Sequence, residues 1–257
     1  MKNAPPAVAA LAAALLAGCL HFAPSPKEKA AAENHYYLGV EALRAGDPQG
    51  SLRELQEALK LNPDFAEAHE ELGLLLHLGY KHYDEAEKEL RRAIELHPSL
   101  PETMTMATAW TNLGNLYLDQ GKYDEAIAAY DHALGDMLYR EPYLAQGNRG
   151  WALFKKGKVE EGISSIKEAV TTNPKFCLGY RNLGQIYGEQ GKAEESCRSY
   201  ARYREACPDV GDAYFREGVC AAKLGKTDEA KTAFATCETK AAGALKDDCH
   251  RLLEQLQ

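Results

Sequence analysis

The sequence predicts an all-α fold, a right-handed solenoid built from six repeated pairs of helices. The first observation is a recurrent glycine, spaced by 34, 41, 36, 34 and 34 residues, at Gly39, Gly73, Gly114, Gly150, Gly184 and Gly218. The second is another glycine seven residues after five of these, at Gly46, Gly121, Gly157, Gly191 and Gly225. The third is a proline near the end of most periods, at Pro63, Pro98, Pro142, Pro174 and Pro208. A recurring period of this length indicates a stack of small, similar units.

Each period contains the signals for two helices and the turn between them. The second glycine can end the first helix, because a residue without Cβ turns the chain there at little cost. Acidic residues then start the second helix, as in Asp124-Glu125 and Asp228-Glu229. Small residues mark the close contact between the two helices at Ser51, Ala86, Ala126, Gly162, Ser196 and Ala230. The proline closes the unit, since proline cannot continue a helix.

The unit boundaries follow from these signals. The predicted units span residues 32–65, 66–100, 107–142, 143–176, 177–210 and 211–242. The extra residues 99–106, between the second and third units, are predicted to form an exposed insertion. Residues 243–257 are amphipathic and are predicted to form a capping helix, because an end repeat has no neighbour to cover its apolar face.

The period and its signature positions resemble the tetratricopeptide repeat. The resemblance implies a concave groove, lined by the first helices, that binds extended peptides or partner helices. The inward-facing positions predict a partner-binding groove that includes Tyr36, Leu43, Leu74, Asn115, Leu118, Trp151, Phe154 and Phe215. Trp151 and Phe154 are the best anchor candidates, since tryptophan is enriched in binding hot spots, although both could instead pack against neighbouring helices. His35, His69 and Trp110 fall at the fourth position of their units and are predicted to lie in the core.

Residues 1–18 are predicted to be a lipoprotein signal peptide. The apolar run Ala7–Ala17 matches a signal-peptide core and is too short to span a bilayer. It leads into a Leu-Ala-Gly-Cys sequence ending at Cys19, which resembles the lipobox of bacterial lipoproteins; the alternative is a chance cysteine after an ordinary cleavage site. The resemblance implies that Cys19 is lipidated, and Leu20 in place of aspartate favours the outer membrane. We therefore expect a lipid-anchored protein facing the periplasm, with residues 19–31 as a flexible tether.

Six further cysteines lie in the last third of the chain. An even number of cysteines in an exported protein indicates disulfides. The expected positions of the helices favour the pairs Cys177–Cys207, Cys197–Cys220 and Cys237–Cys249. The alternative is six free thiols. A zinc site is disfavoured, because no two cysteines have the C-x-x-C spacing.

Composition and motifs argue against nucleic-acid binding and catalysis. The 257 residues include 30 Lys and Arg and 38 Asp and Glu, a formal net charge of -8, so no general basic field attracts nucleic acid. Gly225-Lys226-Thr227 resembles the end of a P-loop, but Cys220 stands where that motif needs glycine and a predicted helix precedes it. Neither H-E-x-x-H nor G-x-S-x-G occurs. We expect no enzyme activity, no cofactor or metal, and no small-molecule substrate.

A lipobox followed by six such units resembles the type IV pilus pilotins, outer-membrane lipoproteins that help the secretin to assemble. The cysteine-rich last repeats are similar to those of a social-motility lipoprotein of that family. The resemblance implies that the partner is the type IV pilus secretin PilQ and that the protein promotes its multimerisation. The alternative is a general periplasmic scaffold lipoprotein that docks peptidoglycan enzymes or barrel-assembly proteins.

Overall fold

The computed structural model describes residues 23–96 and 106–256, and no β-strand occurs within these two ranges. The helices are α1 (Pro26–Arg44), α2 (Pro48–Leu61), α3 (Ala66–Leu74), α4 (Tyr83–Leu96), α5 (Met106–Asp119), α6 (Tyr123–Leu134), α7 (Pro142–Lys155), α8 (Val159–Thr172), α9 (Cys177–Glu189), α10 (Ala193–Ala206), α11 (Gly211–Lys223), α12 (Thr227–Lys240) and α13 (Gly243–Gln255). A π-helical segment, Leu75–Tyr80, continues α3. Successive helices pack as six pairs, and α13 packs on α12. The predicted solenoid of helix pairs with a capping helix is confirmed.

Several predicted features lie outside the described residues: the leader 1–18, Cys19 and most of the insertion 99–106. The last part of the predicted tether, residues 19–31, needs correction, because α1 already begins at Pro26. The backbone N–H of Glu28 donates to the Ser25 hydroxyl at 3.3 Å, and the Ser25 N–H donates to the Glu28 carboxylate at 2.7 Å. This reciprocal capping box, with proline at the first helical position, starts the helix.

Pro142 also has a role other than the predicted one. It is the first residue of α7 instead of the last residue of the third unit. Its missing N–H is tolerated at that position, because the first N–H groups of a helix have no partner inside the helix. Pro63, Pro174 and Pro208 lie in the turns between pairs.

The turns within the pairs use the second glycine of each period. Their φ angles lie between 72° and 93° at Gly46, Gly121, Gly157, Gly191 and Gly225. The second pair has no glycine at this place. There the chain passes through the π-helical segment, and Lys81 adopts a φ of 57°. A non-glycine residue in this conformation costs about 1 kcal/mol, so the second pair carries local strain that the others avoid.

Buried side chains form three clusters along the solenoid. The first joins the first three pairs, includes Leu90 and Tyr130, and extends to Ala145 and Ala152 on α7. The second joins the fourth and fifth pairs around Ile166. The third contains Phe234 of the last pair, against which Leu252 of the capping helix packs. None of the helices within 23–96 and 106–256 has the length and hydropathy of a transmembrane span.

Candidate partner-binding groove

Hydrogen bonds between first helices align the pairs in the first half of the solenoid. Asn112 on α5 donates through Nδ2 to Glu70 Oε1 on α3 at 2.9 Å. Asn148 on α7 donates to Asn115 Oδ1 on α5 at 2.8 Å, and the Tyr130 hydroxyl donates to the same oxygen at 2.8 Å. These bonds tie α3, α5 and α7 into a row. These bonds fix the orientation of Asn115, a predicted groove residue. Asn112 is not among the predicted groove residues, although it links α5 to α3.

A partly desolvated acidic cluster lies where α1 meets α3. Burial, followed by the neighbouring charges of Glu71 and Glu67, raises the pKa of Glu70 to about 7, and the hydrogen bond from Asn112 opposes this rise. Burial also raises the pKa of Glu71. The pKa of Tyr36 rises to about 12, first through burial and then through the charge of Glu71. This end of the groove is suited to a partner that brings a cation or a hydrogen-bond donor.

Replacing Glu70 by glutamine is expected to stabilise the protein above pH 7. Because burial raises the pKa of Glu70 in the folded state to about 7, above its ordinary value of 4.5, the folded state binds the proton more tightly and loses stability as the pH rises through this interval. Glu70→Gln removes the buried charge and keeps an oxygen that can accept from Asn112. Chemical unfolding should show a gain of about 2 kcal/mol above pH 7 and almost none below pH 4.

The control for this prediction is Glu194→Gln, at an exposed position in the first turn of α10. Its free energy of unfolding should stay within about 0.5 kcal/mol of that of the unaltered protein. A Glu70→Gln curve that also stays parallel to the unaltered protein would show that Glu70 titrates normally.

The predicted apolar groove residues of the first three pairs are partly buried. Three of them pack against the border of the first core cluster: Tyr36, Leu43 and Leu118. The fourth, Leu74 on α3, is also partly buried. The ring of Tyr36 lies 5.2 Å from that of Phe65, which precedes α3. Each side chain therefore leaves part of its surface exposed. Their contact with a partner stays a prediction.

Trp151 and Phe154 lie side by side on α7, with ring centroids 5.2 Å apart. Both are partly buried and pack against the second core cluster. The Lys155 ammonium lies 5.8 Å from the centroid of the Trp151 ring. The two rings thus have the packing role considered as the alternative, and their additional role as a partner anchor stays a prediction.

Phe215 lines a cleft of about 300 Å³ between α9, α10 and α11. Tyr200 and Val219 form further apolar wall, and the Cys197–Cys220 pair borders the cleft. The Arg216 guanidinium lies 5.7 Å from the Tyr200 ring and pairs with Asp212 at 2.8 Å. The cleft has the size of a side-chain pocket, with a cation at its rim.

The structure joins three pairs of cysteines, and they are the pairs that the sequence predicts. The Cα–Cα distances are 6.0 Å for Cys177–Cys207, 5.5 Å for Cys197–Cys220 and 6.0 Å for Cys237–Cys249, within the range that a disulfide spans. The first pair links the two helices of the fifth pair, the second links α10 to α11, and the third links α12 to α13. Their oxidation in the cell stays a prediction, which thiol counting on unfolded, non-reduced protein tests.

The fourth-position residues bridge the two helices of a pair. Nδ1 of His35 lies 2.7 Å from a Glu54 oxygen, and Nδ1 of His69 lies 2.6 Å from a Glu89 oxygen. Trp110 stacks on His132 with ring centroids 4.3 Å apart. All three are partly buried, so they sit at the border of the core. No group of three or more His, Cys, Asp or Glu residues suited to a metal ion occurs in the described part of the chain.

Sequence comparison assigns the repeats to one family. Tetratricopeptide repeat models match residues 36–101, 107–135, 144–176 and 181–243, which is more than half of the chain. The TPR repeat-containing thioredoxin TTL4 of Arabidopsis thaliana is 33% identical over 99 residues, 38% of this chain and 14% of that protein. The chain therefore spans only a small part of the length of this curated relative.

Two solved structures share the fold over most of both chains. PilW, described as a widely conserved type IV pilus biogenesis factor, superposes with a TM-score of 0.71 at 20% identity and covers 84% of this chain and 97% of its own. PilF of Pseudomonas aeruginosa superposes with a TM-score of 0.68 at 17% identity, covering 88% and 99%. At this level of identity, the two structures show only that the fold is shared. The family is shown by the repeat models that match the sequence. The chain belongs to the tetratricopeptide repeat family.

Proposed function

We propose that this protein is an outer-membrane lipoprotein that binds the type IV pilus secretin, a PilQ-like protein, and promotes its multimerisation. The observation that carries the proposal is the likeness to PilW, a type IV pilus biogenesis factor, over 97% of that chain. The lipobox-like sequence at Cys19 supports the lipid anchor. The tetratricopeptide repeats support a role in protein–protein interaction.

Two physical effects would act together in this role. The lipid confines the solenoid to the membrane surface, which raises the effective concentration of any secretin subunit that it holds. The groove binds an extended or helical segment of the subunit and covers its apolar face until neighbouring subunits meet. The bonds among Asn112, Asn115, Asn148 and Glu70 fix the first helices beforehand, so less order has to be gained on binding.

Replacing Cys19 by alanine is expected to release the protein from the outer membrane and to lower the amount of secretin multimers. Without the thiol no diacylglycerol can be attached. Membrane fractionation measures the first effect, and gel electrophoresis of heat-resistant secretin multimers measures the second. A second variant, Leu20→Asp, should stay lipidated but leave the outer membrane. Normal multimers in both variants would contradict the proposal.

The second candidate is a general periplasmic scaffold that docks peptidoglycan or barrel-assembly proteins. It is favoured by the breadth of the family, since a plant thioredoxin-like protein carries similar repeats. Affinity capture with the lipidated chain separates the two. Recovery of the secretin supports the pilotin role, and recovery of hydrolases or barrel-assembly subunits without secretin supports the scaffold.

A further inference from the structure

The lining of the groove has a gap at Gly188 on α9. Gly188 lies four residues after the recurrent glycine of the fifth pair. At the same position the first four pairs carry larger side chains, namely Leu43, His77, Leu118 and Phe154. A Cβ added at Gly188 would have only one neighbour within 4 Å, the Ser196 hydroxyl at 3.3 Å. The space that a side chain fills in the earlier pairs is therefore open in the fifth.

The gap opens into the cleft of about 300 Å³ between α9, α10 and α11. Its apolar walls are the rings of Tyr200 and Phe215 and the side chain of Val219. The Ser196 hydroxyl donates to the Gly184 carbonyl at 2.7 Å, so it needs no hydrogen bond from a ligand. Ligand pockets usually measure about 300–1,000 Å³. A cleft at the lower end of this range suits one side chain of a partner better than a whole small molecule.

The two rings in the walls favour an aromatic side chain. The Phe215 ring lies 6.3 Å from the ring of Phe234, which is buried, and this contact holds Phe215 in place. The Arg216 guanidinium lies 5.7 Å from the centroid of the Tyr200 ring. Aromatic rings gain stability from offset or edge-to-face contacts with another ring, in addition to the area that they bury. An inserted ring would have two such neighbours.

The charged residues that line the cleft are positive. They are Arg216 and Lys223, and none of the lining residues is acidic. Asp212 lies 2.8 Å from Arg216 and 3.3 Å from Arg181, so two guanidinium groups share one carboxylate and retain a net charge of +1. In the part of the chain that the structure describes, Lys223 is exposed and has no ion-pair partner.

The carboxylates near the cleft do not cancel this charge. Glu189, beside Gly188, is balanced by Lys192 in the turn that follows α9. Glu217 on α11 pairs with Arg204 at 2.9 Å. Glu194, at the start of α10, lines a different cleft on other faces of α10 and α11. The open cleft therefore keeps a positive rim, which attracts a carboxylate of a partner.

We propose that this cleft is the anchor pocket of the groove, and that it takes an aromatic side chain of a partner polypeptide with a carboxylate beside it. The ring fills the gap at Gly188 between Tyr200 and Phe215, and the carboxylate pairs with Lys223 at the rim. An aromatic side chain enclosed in this way is typical of a binding hot spot. The inference rests on the proposed function, because it identifies the part of the partner segment that the groove holds.

Fluorescence anisotropy with short labelled peptides tests the pocket on the lipid-free Cys19→Ala chain. The probes are glycine–serine peptides with a central phenylalanine between two glutamates, a central serine between two glutamates, and a central phenylalanine between two lysines. We expect the first peptide to bind at least about tenfold more tightly than the other two, because it alone supplies both the ring and the negative charge.

Variants with matched controls locate the binding. Gly188→Leu gives the fifth pair the side chain of the first and third pairs, fills the cleft, and should weaken binding of the first peptide about tenfold. Gly188→Ala leaves most of the cleft open and should keep the affinity. Lys223→Glu should abolish the preference for glutamate over lysine in the peptide. Lys246→Glu, at an exposed position on α13 that does not line the cleft, should keep this preference.

Equal affinities for the three peptides, or no binding of any of them, would overturn the inference. A preference for phenylalanine that survives Gly188→Leu would place the ring elsewhere and overturn it as well. Circular dichroism verifies that the variants fold, as expected for exposed positions. The assay contains no secretin, so its result does not depend on the identity of the partner.

Secretin multimers in a Gly188→Leu strain test the link to the proposed function. They should decrease although the variant stays in the outer membrane, whereas Gly188→Ala should support normal multimers. Normal multimers in the Gly188→Leu strain, together with the expected peptide preference, would overturn the secretin as the partner of this pocket and leave the pocket itself established.

Discussion

Replacing Gly150 by alanine is expected to destabilise the protein by about 2 kcal/mol. Gly150 lies in the interior of α7, where α7 and α8 are in close contact. A Cβ at this position would lie 2.6 Å from Ile166 Cγ1 and 2.7 Å from the carbonyl oxygen of Gly162. The backbone atoms of α8 cannot rotate away as a side chain can. The two helices must therefore separate, which loosens the second core cluster.

Helix propensity acts in the opposite direction. Alanine in a helix interior is more favourable than glycine by about 0.5–1 kcal/mol, so the expected net loss is the steric cost minus this gain. Gly188→Ala in α9 is the matched control, since a Cβ there would meet only the Ser196 hydroxyl at 3.3 Å. We expect Gly188→Ala to be neutral or slightly stabilising.

Chemical denaturation of the two variants checks this pair of predictions. We expect a lower midpoint for Gly150→Ala and an unchanged or slightly higher midpoint for Gly188→Ala, with hydrogen exchange in α7 and α8 faster only in the first variant. Equal midpoints for both variants would mean that the α7–α8 contact adjusts without loss, and that the recurrent glycine is not a steric requirement.

The features that sequence could predict are the local ones. The turns within the pairs need a residue with positive φ, as at Gly121 with a φ of 73°. Glycine adopts this conformation at little cost, so its position in the sequence predicts the turn. The cysteine pairs could be predicted because neighbouring helices run antiparallel and the repeat length is constant. Together these determine which residues of adjacent helices lie at the same level along the helix axes, as for Cys197 and Cys220. The start of α1 is also a local signal, the capping box of Ser25 and Glu28, although the prediction assigned residues 19–31 to a tether.

Other features depend on contacts between distant residues. The bond from Asn112 to Glu70 joins residues 42 apart, and no local pattern announces it. The buried His77 lies 2.9 Å from Asp119 in the same way, again across 42 residues. The π-helical segment at Leu75–Tyr80 replaces a missing turn glycine, yet the absence of glycine alone does not say how the chain adapts. These features set the shape of the groove near the second pair.

The exposure of the groove side chains, which decides whether they can contact a partner, is therefore the feature that is hardest to predict from the sequence. Position counting places Trp151 and Phe154 on the inward side of α7, but the structure shows both rings packed against the second cluster. Exposure depends on how closely α7 approaches α8, which the contact of Gly150 with Gly162 decides. Whether Trp151 and Phe154 can anchor a partner therefore depends on how α7 and α8 pack together, and not on the sequence of α7 alone.

Removing the Cys237–Cys249 pair is expected to release the capping helix. Both residues are fully buried, and they link α12 to α13 across 12 residues of sequence. A loop of this length stabilises the folded state by about 3 kcal/mol in the chain-entropy description. Without the link, α13 is held mainly by Leu252, Leu253 and Leu256 against the third cluster. The variant Cys237→Ala/Cys249→Ala leaves no buried polar group.

The matched control is Cys177→Ala/Cys207→Ala, which removes a link of similar strength across 30 residues within the fifth pair. Both variants should unfold at lower denaturant concentration, but only the first should give fast hydrogen exchange in residues 243–255. If α13 stays protected in the first variant, the leucine contacts alone hold the cap. In that case the terminal repeat is covered by apolar packing, as in a solenoid without disulfides, and the third cysteine pair adds stability without determining where the solenoid ends.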